Sequence, residues 1–294
     1  MKSSMKLLVA FLLLPLAARS QEVRATLLEG KITIIRGTAA MQGQEGMMMR
    51  SGDIVENPGS GLAQIEFGGS TIVVLGPASR AFLQKAIGTA ADIFLLSGWL
   101  KTESNARDNT FRYSTPLLGA AGKNATFVIH AAPGSSEIFV ESGSGNVAEV
   151  SPQGNWARAA TAATAGQFVT RKSGRNATRA GAPDSAFLGS MPTAFRDTFP
   201  SRWSRFQGSK PPEPKRDHEV SYAEIQAWLT AAPAWRRGFV ERFQSRLNDP
   251  AFRQAIEEHL SEFPEWDRAL HPEKYETHPP AGDGSATKQG VHQQ

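Results

Sequence analysis

The acidic residues near the end of the chain come closest to a catalytic set, and they are Glu257, Glu258, Glu262, Glu265 and Asp267. Glu258 and Glu262 are four residues apart, so they share one face of a predicted helix. A raised pKa on one carboxyl group would allow it to act as a general acid, which gives an alternative function, a wall-active hydrolase. A general acid of this kind needs burial in a cleft. The polar neighbours favour a solvated helix face instead.

Other residues that could support catalysis do not form a recognised set. The six histidines show neither the H-E-x-x-H nor the H-x-H spacing of metal ligands. The sequence contains no G-x-S-x-G nucleophile elbow and no G-x-x-x-x-G-K-[ST] phosphate loop. Because it also has no cysteine, disulfides, thiol nucleophiles and Cys-ligated zinc are excluded. We therefore expect a protein that is not an enzyme, with no catalytic residue, no cofactor and no metal.

A basic stretch is the stronger candidate for a binding site. No acidic residue occurs between Glu149 and Asp184, whereas that stretch contains Arg158, Arg171, Lys172, Arg175 and Arg179. This set predicts a patch for an anionic partner. The alternative is a solvated loop, rich in Ala, Thr and Gly, that happens to be basic. No nucleic-acid motif accompanies the patch, and the net charge of +4 adds only a slight preference for acidic surfaces.

The amino terminus has the pattern of a secretory signal peptide. Lys2 and Lys6 precede the apolar run 7–18, and Ala18 and Ser20 provide small residues for cleavage before Gln21. The alternative is a retained membrane anchor, but about a dozen apolar residues are too few for a spanning helix, which needs about 20. We expect residues 1–20 to be removed, leaving a periplasmic or secreted protein without a membrane span.

Residues 21–172 read as an all-β domain. Short apolar segments of period two alternate with turns rich in Gly, Pro, Ser and Asn. Ala63–Phe67 alternates apolar and polar residues, which predicts a half-buried strand, and Gly68–Ser70 then predicts a hairpin turn into Thr71–Leu75. Many short strands at this spacing predict a β-sandwich, a roll or a β-helix-like domain.

The remainder divides into three predicted parts. Residues 173–218 form a linker that is rich in small residues and ends in a Pro-rich stretch. Residues 219–276 form a helical module, with a capping box at Ser221 and Glu224 and an N-cap at Asp249 before Pro250. Residues 277–294 form a disordered tail. We expect the helices to dock on the sheet. The four tryptophans of this last third are expected to lie in the core, with a ligand platform as the alternative, and they are Trp203, Trp228, Trp235 and Trp266.

The order of the β segments resembles the FecR domain family over residues 23–172. The matching segments, each a strand or turn signal of that family, are 30–37, 51–54, 58–70, 76–79, 96–100, 115–116, 125–129 and 166–167. Two departures occur. Gly68-Gly69-Ser70 stands where the family usually has Asp-Gly-Ser, and Gly122–Thr126 replaces an expected R-G-T turn, so an interaction made by that turn in relatives is in doubt here.

The resemblance implies a non-catalytic domain that contacts other proteins of the bacterial cell envelope. Named members of the family pass a signal to a cytoplasmic sigma factor. From the signal-peptide pattern, we expect this chain to have neither the cytoplasmic segment nor the second apolar span of that route, so the mechanism is not carried over whole. Two roles stay open, a scaffold that binds an envelope protein or a cell-wall polymer, and a signalling component that works through a separate membrane partner. The sequence identifies neither the partner nor the oligomeric state.

Overall fold

The computed structural model describes residues 22–105 and 110–275. The predicted signal peptide and the predicted tail therefore lie outside the described residues. The strands are β1 (Val23–Leu28), β2 (Thr33–Arg36), β3 (Ala39–Gln42), β4 (Ile54–Asn57), β5 (Ala63–Phe67), β6 (Thr71–Leu75), β7 (Ser79–Ile87), β8 (Ala90–Ser104), β9 (Thr110–Ser114), β10 (Leu118–Ala132), β11 (Ser135–Glu149), β12 (Thr161–Thr164), β13 (Phe168–Lys172), β14 (Thr178–Ala180) and β15 (Arg216–Glu219). The helices are α1 (Ser185–Ser190), α2 (Tyr222–Leu229), α3 (Pro233–Phe243), α4 (Pro250–Glu258) and α5 (Asp267–Leu270).

This arrangement confirms the predicted fold class, mainly β with a C-terminal helical module. Short 3₁₀ turns join or extend the helices, and they are Thr193–Arg196, Trp203–Phe206, Gln244–Asn248, Pro264–Trp266 and Pro272–Lys274. Across the described ranges, no helix combines the length and apolar character needed to cross a bilayer.

The strands form one mixed sheet that bends over itself, closest to the predicted roll. The long strand β8 changes partners along its length, since Ala90–Phe94 pairs in parallel with β9 and Leu100–Ser104 pairs with β6. The two ends of the β10–β11 hairpin meet, and Thr115 donates from Oγ1 to Ser136 Oγ at 2.8 Å. The bend encloses the main apolar core, to which strands from both halves contribute.

The bend in the β10–β11 hairpin depends on two residues with positive φ. Gly143 has φ of +73°, and a Cβ there would lie 2.0 Å from the carbonyl oxygen of Asn124, whose own φ is +51°. The strand register shifts at the same place, between Lys123 and Thr126. The segment Gly122–Thr126 is therefore a bulge inside one long strand, whereas the sequence suggested a turn before a new strand at Ala125.

The helical module docks on one outer face of the sheet. Trp228, Phe243 and Trp266 are buried in a second core that includes Ile54 and Phe94 of the sheet. The predicted start signals are present, since Ser221 and Glu224 form a capping box and the Asp249 carboxylate accepts from the amides of Ala251 and Phe252. The capping residues fix where each helix begins, and the apolar face of each helix provides most of the contact with the sheet.

The segment 173–218, for which the sequence suggested a linker, covers a second outer face of the sheet. Phe187 and Phe195 are buried against Trp99 and Val128. The ammonium group of Lys101, itself 1% exposed, donates to the carbonyl oxygens of Phe195 at 2.8 Å and Asp197 at 2.9 Å. A few large side chains and these polar contacts hold the segment, although small residues dominate its composition.

The same segment changes the environment of β5, which is buried on both faces instead of one. Gln64 and Glu66 occupy the polar positions of this strand, yet both have 0% exposure. The Gln64 amide donates to Pro200 O at 3.1 Å, and the Glu66 carboxylate accepts from the Arg202 amide at 2.7 Å. Period-two alternation thus located the strand correctly, but it could not show that distant chain would cover the polar face.

Glu56 connects the sheet to the helical module, and its ionisation provides a test of that interface. Its carboxylate accepts from Trp228 Nε1 at 2.6 Å and pairs with Arg80 at 2.9 Å. Burial raises the pKa of Glu56 above its ordinary value of 4.5, and the contacts with Trp228 and Arg80 oppose that rise only in part. The folded state therefore holds the proton more tightly than the unfolded state does.

Because this pKa is raised, Glu56 contributes stability below pH 4.5 that is lost as the pH rises through the folded-state pKa. We expect Glu56→Gln, which cannot titrate, to gain stability relative to the wild type as the pH increases from about 4 to 7. Thermal unfolding of both proteins across this range measures the effect. Glu213→Gln, at a side chain that is 87% exposed, is the control, and the prediction fails if both variants follow the wild-type pH profile.

Candidate binding surface

The structure brings four of the five predicted basic residues onto one hairpin. Arg171 and Lys172 end β13, Arg175 lies in the following turn, and Arg179 lies in β14. Arg158 lies in the loop before β12, where its neighbours Ala157 and Ala159 line the same cavity as Arg179. The five residues therefore surround one edge of the sheet, at the end of the strand order.

Arg171 is engaged in holding the fold together. Its guanidinium donates to the carbonyl oxygens of Leu117 at 2.9 Å and Val150 at 2.8 Å, and it pairs with Glu149 at 3.2 Å. The Glu149 carboxylate also accepts from the amide of Ala177 at 2.7 Å. Arg171 thus closes the seam where the two ends of the folded β10–β11 hairpin meet, and it is not available to a ligand.

The other four basic side chains are exposed. The Arg179 guanidinium donates to the carbonyl oxygen of Ala162 at 2.8 Å. Arg158, Lys172 and Arg175 form no ion pair with any residue in the described ranges. We call Arg158, Lys172, Arg175 and Arg179 the basic edge. The acidic residues that bound this stretch in sequence are engaged elsewhere, since Glu149 pairs with Arg171 and Asp184 accepts from the Phe187 amide at 2.8 Å.

Two features beside the basic edge suit an extended partner. Strand β14 is exposed at all three residues, and its outer side pairs with no other described strand. Such an edge can accept another strand through backbone hydrogen bonds. A cavity of about 340 Å³ lies next to it, with a largely apolar lining that includes Val147, Val169 and Ala177. Strand β14 was not among the predicted strands, although Gly174, with φ of +71°, marks the hairpin turn that precedes it.

The acidic cluster does not form a cleft. Glu257 pairs with Arg253 at 2.8 Å, and Glu265 pairs with Arg236 at 2.6 Å. Glu258 and Glu262 are exposed on the helical module, and Glu258 accepts from the Gln254 amide at 2.8 Å. Asp267 contacts Lys274 and Tyr275. Three of these carboxylates are neutralised by Arg253, Arg236 and Lys274, and Glu258 and Glu262 are open to solvent, so the arrangement offers no support for the hydrolase alternative.

The described histidines make local contacts and form no cluster that could hold a metal ion. His130 contacts Glu137 at 2.8 Å and stacks on Trp99 with ring centroids 4.1 Å apart. His218 contacts Glu224, and this contact raises the pKa of the imidazole. Within the described ranges, no three His, Asp or Glu side chains are grouped so that they could hold a metal ion.

Comparisons with known proteins place this chain near no characterised family. No protein-family model and no curated protein matches it. Two crystal structures of a proposed anti-sigma factor from Parabacteroides distasonis, at 1.65 and 2.50 Å resolution, are distantly similar. Each shares 9% identity and a TM-score of 0.38, covering 46% and 47% of this chain and 62% and 64% of the other protein. The match thus spans less than two thirds of those proteins, and a likeness this distant assigns no function. The FecR resemblance stays a prediction.

Proposed function

We propose that this chain is a non-catalytic binding module of the bacterial cell envelope, and that an anionic partner binds at the basic edge. The partner is another envelope protein with an acidic segment or an anionic cell-wall polymer. The proposal serves both roles implied by the FecR resemblance, scaffolding and signalling, because each requires a partner-binding surface. It assigns no enzymatic activity to the chain.

The observation that carries this proposal is the contrast among the basic residues of one hairpin. The Arg171 guanidinium is bonded to backbone carbonyl groups and paired with Glu149. In contrast, the side chains of Arg158, Lys172 and Arg175 are exposed and form no ion pair in the described part of the chain. Unpaired exposed cations next to an open strand edge favour an acidic, extended ligand over a neutral one. The apolar cavity beside them would accept alternate side chains of such a ligand.

A fluorescently labelled poly-L-glutamate is a suitable probe of this surface, with binding measured by anisotropy at low salt. We expect the triple variant Arg158→Gln, Lys172→Gln, Arg175→Gln to bind about ten- to a hundredfold more weakly, since each exposed charge contact contributes about 0.5–1 kcal/mol. A triple variant of Lys31, Lys85 and Lys215 to Gln is the matched control, because these side chains are also exposed and the change in net charge is the same. Equal weakening in both variants would show that only net charge matters, and the proposal would fail.

The proposal also places the protein outside the cytoplasm, on the strength of the amino-terminal pattern of charge and apolar residues. We expect protein recovered from the cell envelope or the medium to begin at Gln21, because Ala18 and Ser20 provide the small residues for cleavage. Mass spectrometry of the amino-terminal peptide checks this. Recovery in the cytosolic fraction with Met1 retained would contradict it.

A further inference from the structure

A cavity of about 820 Å³ lies away from the basic edge, between the start of β1, the β5–β6 turn and the segment 203–211. Its volume falls within the roughly 300–1,000 Å³ of small-ligand pockets. Residues far apart in the sequence line it, among them Glu22, Arg24, Trp203, Phe206, Gln207 and Lys210. Neither the FecR resemblance nor the proposed function uses this cavity.

Two aromatic rings on one short turn form a wall of the cavity. Trp203 and Phe206 are three residues apart in a 3₁₀ turn, which places them on the same side, about 6 Å apart along the axis. Each ring rests on a glycine. A Cβ at Gly69 would lie 2.9 Å from the Trp203 ring, and a Cβ at Gly46 would lie 2.9 Å from the Phe206 ring. Both rings are partly exposed, and Trp203 belongs to none of the buried clusters, unlike Trp228 and Trp266.

Arg24 holds the segment that carries these two rings against strand β1. Its guanidinium, 4% exposed as a residue, donates to the carbonyl oxygen of Phe206 at 3.0 Å and to that of Ser209 at 3.5 Å, and it pairs with Glu22 at 2.9 Å. The segment that carries the aromatic rings is therefore held against β1 before any ligand arrives. Because Glu22 and two carbonyl groups already engage Arg24, the cavity is not a site for a free anion.

The lining combines a pre-positioned aromatic face with hydrogen-bonding groups of both kinds and little net charge. Gln207 and Lys210 are exposed at the rim and can donate, and Glu22 and Gln207 can accept. A pyranose ring matches this combination, since its C–H face stacks on an aromatic ring while its hydroxyl groups bond to the rim. We propose that this cavity binds a neutral sugar unit of a glycan, stacked on Trp203. This site is independent of the basic edge.

The probes are β-1,4-linked hexamers of N-acetylglucosamine and of glucose, titrated into the purified protein by calorimetry. We expect the wild type to bind at least one hexamer, Trp203→Ala to weaken that binding by at least about tenfold, and Trp203→Phe to retain most of it. Trp156→Ala is the matched control, because Trp156 is also partly exposed but does not line the cavity, and it should bind as the wild type does.

Tryptophan fluorescence provides a second test of the same site, with Trp203→Phe in place of Trp203→Ala in case the alanine variant does not fold. Bound hexamer should change the emission of the wild type and of Trp156→Phe, but not that of Trp203→Phe, although Trp203→Phe still binds by calorimetry. Failure of both hexamers to bind, or an emission change that persists in Trp203→Phe, would overturn the proposal. Loss of poly-L-glutamate binding alone would leave this result unchanged, so the two sites are tested separately.

Discussion

Gly98→Ala is expected to destabilise the protein by more than about 4 kcal/mol, the range in which single substitutions become exceptional. Gly98 has φ of +88°, and a Cβ there would lie 2.5 Å from Ser79 Cα and 2.6 Å from the carbonyl oxygen of Ala78. These neighbours cannot easily move. The Ser79 hydroxyl accepts from the Trp99 amide at 2.8 Å, and β7 and β8 are paired here.

Gly52→Ala is the control that separates the cost of a steric clash at the new Cβ from the cost of a positive φ in a residue with a side chain. Gly52 has a similar φ of +91°, but nothing lies within 4 Å of the position its Cβ would take. The left-handed conformation alone costs about 1–2 kcal/mol in a residue with a side chain, so this variant should lose only that amount. Urea unfolding followed by circular dichroism compares the two. Similar losses in both variants would show that the packing of β7 against β8 is not as close as described.

Lys101→Met should cost about 3–5 kcal/mol, because it removes one partner from a buried charged network. The ammonium group of Lys101 pairs with Glu141 at 2.7 Å and donates to two carbonyl groups of the segment that crosses the sheet. Without it, the carboxylate and both carbonyl oxygens lose their donor, and the carbonyl oxygen of Phe195 is left in a buried position. Methionine keeps an apolar side chain of similar length, so the loss of unfolding free energy measures the contribution of the charge and its hydrogen bonds.

The matched control is Lys123→Met, at an exposed position on β10, which should change the unfolding free energy by less than about 0.5 kcal/mol. Hydrogen exchange should also show faster exchange of the amides of residues 185–199 in Lys101→Met, since Lys101 holds that segment on the sheet. A fully stable Lys101→Met variant with wild-type protection there would contradict the assigned role.

Local signals in the sequence were sufficient to predict where the helices of the C-terminal module begin and which of their side chains are buried. Ser221, Glu224 and Asp249 are capping residues that act within one helical turn, and the apolar spacing of Phe239 and Phe243 placed both in the core. The hairpin from β5 to β6 was likewise predictable, because a glycine turn between two apolar runs is a short-range signal.

Long-range contacts explain what the sequence could not show. Arg171 looked like its basic neighbours, but its acceptors on Leu117 and Val150 are 54 and 21 residues away. In the same way, the covering of β5 and the burial of Phe187 depend on a segment that its small residues mark as a linker. The pattern of residues within one segment does not show whether a basic side chain will bond to distant parts of the same chain or remain free for a partner.

Hydrogen exchange with and without poly-L-glutamate tests the central claim, that an anionic partner binds at the basic edge, most directly. The claim predicts that the added polymer slows exchange in residues 157–164 and 171–180, because these backbone segments carry the basic edge and β14. Protection that is absent there, or that appears only around Trp203 and residues 203–211, would contradict the claim.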